Sequence, residues 1–353
     1  MRIILADDGM PFEGRMADER PLGGAESAVV NLLNALAARG NDVAAYTSIK
    51  EPVTHRGVAW QPITDLPEAA PDLFIANRSW RLLRRMPDAR RTVFWIHNPA
   101  HYLLKWRFLW RLALTRPAIV FSGEYHASTY PAWAPAGTRL IIPYGIDERF
   151  RSAAVTDATP PPRAIFTSNP LRGLDWLLDL WAARIWPELP EAELHIFAGA
   201  AVYGGEANPK ASSMAMVLAR AEGMANRGVR VRGAVPKSAL VEELAKARVM
   251  LYRGDPGETF CLAVGEAQAM GVPAVVQPIG SLAERVRDGE TGAVASSDEA
   301  FARAALHLLK DEGAWERAHR NALLTQRQWS WNDCALAFEA LEQRTEKWGP
   351  VFR

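Results

Sequence analysis

Cysteine is scarce. Cys261 and Cys334 are the only two, too few for a disulfide framework, and a reducing cytoplasm is the expected compartment. No apolar run approaches the roughly 18 residues of a spanning helix. The opening MRIILADDGM places four apolar residues before two acids, the pattern of a strand and not of a secretion signal. Charge of one sign is also lacking. The formal net charge is +1, so bulk electrostatics gives no reason to expect nucleic acid as a partner. No G-x-x-x-x-G-K-[ST] loop is present, which argues against hydrolysis of nucleoside triphosphates. G-x-G-x-x-G does not follow the first strand, which argues against a dehydrogenase. The G-x-S-x-G elbow of serine hydrolases is absent as well.

What is present is alternation. The 353 residues, 49% of them hydrophobic, suffice for two packed cores at roughly 100–200 residues per domain. Short apolar runs alternate with helical patterns from end to end, which predicts βαβ units and parallel sheets. Strands are expected at 3–6, 42–47, 73–77, 92–96, 118–122 and 139–142. A helix is expected over 25–39, where Ala25, Val29, Leu32, Leu33 and Leu36 share one face, with Gly40 as its C-cap. The small, polar stretch 151–163 ends in three prolines and reads as a stiff linker. Beyond it a second series follows, with strands at 164–168, 193–198, 229–233, 248–252 and 273–277. Helices fall between them at about 173–186, 212–226, 237–246 and 260–270, and the tail 298–348 is mostly helical. The fold class is therefore α/β, with two Rossmann-like doubly wound domains. The expected boundaries are 1–155, 156–327 and a C-terminal helix at 328–353. The 13 Trp are expected mostly in the core.

The stretch 253–292 is the most informative. An apolar strand ends at Tyr252, a Gly/Pro loop follows, and a helix is expected to open near Phe260. The first N–H groups of a helix lack helical partners and carry the positive end of its dipole, so a diphosphate fits there without a side-chain cation. Glu258 and Glu266 lie eight residues apart, two turns along one face. Taken singly, each is an ordinary surface or helix acid; the complete loop–helix–strand arrangement favours a bound ligand. Gly23 and Gly24 precede the first helix and allow close backbone approach. In IFTSNPLRGLDWLLDLW, residues 165–181, Arg172 stands between strand and helix, where a fixed cation can hold phosphate oxygens. His97 ends the strand of TVFWIHNP. His101 is four residues on, but Pro99 intervenes and no Glu-x-x-His pattern supports a metal site.

The run ETFCLAVGEAQAMGVPAVV…GSLAERVRDGETG resembles the donor site of glycosyltransferase family 4, the retaining enzymes of the GT-B fold with an E-x7-E signature. The resemblance extends to GGAESAVVNLLNALAARG, to the Arg172 loop, to YGID at 144–147 and to QWSWNDCALAFEALEQR at 328–344. It implies that Glu266 binds the ribose hydroxyls and Glu258 the donor sugar. It implies that backbone groups of Thr259, Phe260, Cys261 and Leu262 contact sugar and phosphates. Gly23 and Gly24 would close over the phosphates from the opposing domain. His97 would face the reacting sugar, and the final helix would brace the first domain. Two departures stand out. The family often has two basic residues around the Arg172 loop, where this chain has Ser168 and Asn169 beside Arg172, so Asn169 becomes a donor-side candidate. Tyr144 replaces the usual asparagine of the NGID-type segment. Asp-x-Asp occurs nowhere, so no metal and no cofactor are expected, the nucleotide-sugar being a substrate.

The implied function is retaining transfer of a hexose from a UDP- or GDP-sugar to a glycan or glycolipid, in cell-surface polysaccharide or lipopolysaccharide synthesis. Two other readings fit the same fold: a sugar-nucleotide epimerase, and a non-catalytic nucleotide-sugar-binding subunit. The loops 199–214 and 233–238, which would shape the base pocket, carry no decisive residue. The acceptor-facing stretch, about 78–135, is the part least matched by the resemblance. Residues 78–116 hold ten Lys or Arg and one acid, Asp88, with Trp106 and Trp110 interleaved with Arg107 and Arg111. This composition has two readings: a solvated helix face with Trp in the core, or an acceptor side that docks on an anionic membrane surface. The second reading places the protein in the cytoplasm, peripheral on the inner face.

Overall fold

A computed structural model describes residues 1–199 and 209–343. The chain forms two compact units. One comprises Met1–Ala17, Gly24–Gly145 and the described part of Ser330–Arg353; the other comprises Asp18–Gly23 and Ile146–Trp329.

The first unit is built on eight strands: β1 Arg2–Ala6, β2 Asp42–Thr47, β3 Val53–His55, β4 Val58–Pro62, β5 Leu73–Asn77, β6 Arg91–Trp95, β7 Ala118–Phe121 and β8 Thr138–Ile141. Their order is β3-β4-β2-β1-β5-β6-β7-β8, parallel throughout except for β3 against β4. Runs such as IILA and LFIA are buried along their whole length, because helices cover both faces of a parallel sheet. The helix Gly24–Ala38 buries Val29, Leu32, Leu33 and Leu36. It stops at Gly40, whose φ is +86°, a conformation that favours glycine.

The β3–β4 hairpin is absent from the sequence-based reading. Its turn is Arg56–Gly57, both at positive φ, as a two-residue primed turn requires. Arginine is an unusual occupant there, and β3 has only three residues. The hairpin is held by Trp60, which is fully buried.

The second unit carries β9 Arg163–Phe166, β10 Glu193–Ile196, β11 Val229–Val231, β12 Val249–Tyr252, β13 Ala274–Val276 and β14 Gly292–Val294. The order is β11-β10-β9-β12-β13-β14, the 3-2-1-4-5-6 arrangement of a Rossmann sheet. The chain leaves the first unit between Gly145 and Ile146. The proline-rich stretch 151–163 therefore belongs to the second unit, after Phe150 has joined its core.

The last described helix, Trp331–Gln343, packs in the first unit. Glu339 accepts two hydrogen bonds from Arg39, each 2.9 Å. Phe338 meets Trp95 edge-on, and Trp331 stacks on Tyr144. Gly145 permits this approach: a Cβ there would lie 2.2 Å from the Trp331 nitrogen. The expected helical tail past residue 343 and most of the loop 199–214 lie outside the described residues.

Candidate functional site

In the second sheet the strand order reverses between β9 and β12. Loops leaving two such neighbouring strands open a crevice. The β9 loop carries Arg172. Asn169 shapes its turn: the Asn169 side chain accepts from the Leu171 N–H and its carbonyl from the Arg172 N–H, both at 2.9 Å. Asn169 thus folds back on its own loop. Gly173, at φ +84°, leaves room for Arg253, whose Cβ would lie 2.7 Å from an added Cβ. Arg253 is a second cation of this loop region that the sequence reading missed.

Arg172 donates through Nη1 to Oε1 of Glu258. The Tyr252 hydroxyl donates to the same oxygen and lies 3.2 Å from Oγ of Ser168. Glu258 is 5% exposed, whereas the Arg172 side chain is 38% exposed. Burial, together with the Glu258 charge, pushes the Tyr252 hydroxyl well above its ordinary value. It stays a neutral donor and fixes the carboxylate in place.

The loop from Arg253 to Cys261 rests on the segment 279–282. The Ser281 N–H donates to the Glu258 carbonyl at 3.0 Å. Gly280, at φ +62°, would bring a Cβ within 2.7 Å of that carbonyl oxygen. The GSLAER motif therefore positions Glu258 mechanically. The helix opens at Leu262, two residues later than expected, because Cys261 sits at φ +60°. A non-glycine residue there is strained. Its buried thiol receives the Val264 N–H, and burial holds it well above the usual thiol range. Arg285 lies 4.1 Å from the centre of the Phe260 ring. Burial pulls it down to about 10, so it remains a cation near neutral pH. Gly265 makes space for it, since a Cβ would lie 2.4 Å from its Nη2.

Glu266 projects from the same helix into a separate cluster. It is buried and ion-pairs with Lys237. Burial raises its value, while Lys237 and Arg149 work against the rise. Asp147 lies close enough to contribute; burial pushes its own value up, but the hydrogen bonds from Arg149 and the charges of Lys237 and Arg149 together bring it below the ordinary value. Lys237 corrects the expectation that 233–238 carries nothing decisive.

In the first unit, His97 follows β6. Its Nε2 meets Oδ1 of Asn77 at 2.7 Å and its Nδ1 meets the Tyr144 hydroxyl. Asn77 donates to Asp7 at 2.5 Å. Arg78 bridges Asp7 and Glu26, each at 2.8 Å. Glu26 lies in the first turn of the helix opened by Gly24, so that opening joins the same network. Gly23 belongs to the second unit and Gly24 to the first. Burial and the Arg78 charge hold His97 well below the ordinary histidine value. The Asn77 carbonyl requires the proton on Nε2, leaving Nδ1 to accept from Tyr144. With both nitrogens engaged and its value lowered, the ring is neutral.

Thr259, Phe260 and Cys261 are buried and Leu262 is half-buried. Trp106 and Arg107 are exposed, and Trp110 and Arg111 half-buried, on the helix Trp106–Thr115. Trp106, at 78%, and Trp133, at 69%, depart from the expectation of core tryptophans.

Residues 162–311 match the family described as Glycosyl transferases group 1. No curated protein matches the chain. Among solved structures, sucrose-phosphate synthase from Thermosynechococcus elongatus is 17% identical, with 97% of this chain and 98% of that chain covered and a TM-score of 0.72. Anabaena HepE in complex with UDP and glucose is 15% identical, covered over 98% and 100%, with a TM-score of 0.70. WaaG, a glycosyltransferase involved in lipopolysaccharide biosynthesis, is 14% identical, covered over 97% and 99%, with a TM-score of 0.66. The fold is that of GT-B glycosyltransferases. Together the family match and the fold support a group 1 glycosyltransferase.

Proposed function

We propose that the protein is a retaining hexosyltransferase of glycosyltransferase family 4. It takes a hexose from a UDP- or GDP-sugar and passes it to a glycan or glycolipid of cell-surface polysaccharide or lipopolysaccharide synthesis, in the cytoplasm at the inner membrane face. The observation that carries this reading is the Arg172–Glu258–Tyr252 cluster at the switch point of the second sheet, beside the opening of the helix Leu262–Ala269.

Departure of the nucleoside diphosphate builds negative charge on its β-phosphate. Arg172, the more exposed partner of its ion pair, turns its guanidinium toward that charge, and the helix amides add their dipole. No metal is required for this neutralisation. Glu258, held by Tyr252, accepts from the sugar hydroxyls while positive charge grows at the anomeric carbon. Glu266 accepts from the ribose, sharing its carboxylate with Lys237. The neutral His97 ring holds its own strand end in place, so that its backbone carbonyl can face the sugar. Among the described residues none is an evident nucleophile for a covalent intermediate, which favours attack on the face of departure. HepE with UDP and glucose is a precedent for the donor class.

The test is product analysis with UDP- and GDP-hexoses and a panel of glycan and glycolipid acceptors. The expected product keeps the anomeric configuration of the donor, read from its NMR coupling. An inverted product, an epimerised donor, or tight donor binding without transfer to any acceptor would overturn the reading.

A further inference from the structure

We infer that the face of the first unit around the helix Trp106–Thr115 docks on an anionic phospholipid bilayer, with Trp106, Leu114 and Trp133 entering the headgroup boundary. The inference deepens the proposed membrane-side transfer and rests on it for its purpose; the binding itself is testable alone.

This helix has two apolar faces. Phe108 and Leu112 enter the core of the unit, which satisfies its packing. Trp106, Leu109, Trp110, Ala113 and Leu114 fall at i, i+3, i+4, i+7 and i+8, a second stripe. With Trp133 and Pro135 that stripe lines an open groove of 510 Å³. Leu114 is 71% exposed, close to the values of Trp106 and Trp133. A contiguous apolar surface of this kind marks a contact that folding alone leaves unused.

Its surroundings identify the occupant. Lys105, Arg107 and Arg116 are exposed at the two ends of the helix. The turn Trp80–Arg84 packs against the helix and adds Arg81 and Arg84. Arg111 lies 4.4 Å from the ring centres of both Trp80 and Trp110. No acid occurs between Asp88 and Glu124. Cations around exposed Trp and Leu match a surface that is anionic outside and apolar beneath. A polyanion would neutralise the cations and leave the groove wet. A second copy would press two basic faces together in a self-matching contact.

The experiment is flotation of the whole protein with vesicles of phosphatidylcholine alone or mixed with phosphatidylglycerol. Bound protein is expected to rise with phosphatidylglycerol and fall with added salt, with a blue shift of tryptophan emission. Lys105→Ala/Arg107→Ala should lower partitioning roughly 30-fold, from about fivefold per cation. Trp106→Ser/Leu114→Ser/Trp133→Ser should abolish the emission shift; the five replaced side chains are all exposed, so folding is preserved. Binding that ignores phosphatidylglycerol, variants that bind like the parent chain, or a concentration-dependent dimer that buries Trp106 would overturn the inference. The thermal shift caused by UDP is read in parallel. Its absence would count against the proposed function and leave the flotation result standing.

Discussion

Replacing Lys237 by methionine should destabilise the second unit in a manner that depends on pH. Glu266 is buried, with a side chain 7% exposed, and Lys237 is its ion-pair partner, with a side chain 16% exposed. Removing one member of a buried pair costs on the order of 3–5 kcal/mol, and the residual exposure of Lys237 points to about 3 kcal/mol. For a unit of this size that lowers Tm by roughly 6–12 °C. The sign with pH follows from protonation. Burial raises Glu266 in the folded state, so the folded chain holds that proton more tightly than the unfolded chain does. Stability from this group is present at low pH and lost as pH rises through the folded value. Without Lys237 the folded value climbs further and the loss reaches higher pH. The penalty should therefore be full at pH 8 and shrink toward pH 5, where the carboxyl takes up a proton. Thermal denaturation at both values measures it. Lys237→Met/Glu266→Gln should recover most of the loss, since it leaves no charge unpaired. A penalty equal at the two pH values, or a double variant as unstable as the single one, would refute this account of Glu266.

Three further outcomes are expected. Glu258→Ala should lower turnover by about 100-fold or more while UDP affinity changes little, and Glu266→Ala should weaken UDP binding first; equal effects in kinetics and calorimetry would contradict the assigned roles. Gly280→Ala should cost turnover and on the order of 2 kcal/mol of stability, because an added Cβ meets the Glu258 carbonyl at 2.7 Å on a strained backbone; denaturant titration with assay would expose an innocuous change. His97 is held below its ordinary value, so the unfolded chain gains that proton first and stability falls as pH drops below the ordinary value near 6.5. His97→Gln should flatten that acid-side loss in thermal denaturation, and an unchanged slope would show that His97 does not govern it.

The alternation of buried strands was legible because a parallel sheet covered on both faces needs continuous apolar runs. β2 and β5 fall on their expected residues. The hairpin at 53–62 was not legible, because its turn uses Arg56 where positive φ ordinarily calls for Asn or Gly. Arg172 and Glu258 stood out through their loops, and the structure brings them into one ion pair. Tyr252, Lys237 and Arg285 did not stand out. Each acts through a contact made by folding: a tyrosine at a strand end, a lysine at a helix start and an arginine under a phenylalanine ring look ordinary one residue at a time. Cys261 hid the helix start for the same reason, since a left-handed cysteine has no composition signal.

The return of the last described helix to the first unit constrains the order of birth. The stretch Ile146–Trp329 is contiguous and can close its core as it leaves the ribosome. The first unit cannot. Until residues 331–343 emerge, Trp95 lacks Phe338, Tyr144 lacks Trp331, and Arg39 lacks Glu339. The half translated first is thus completed last, and a nascent chain halted before Ser330 presents an open aromatic seam to whatever chaperone waits there.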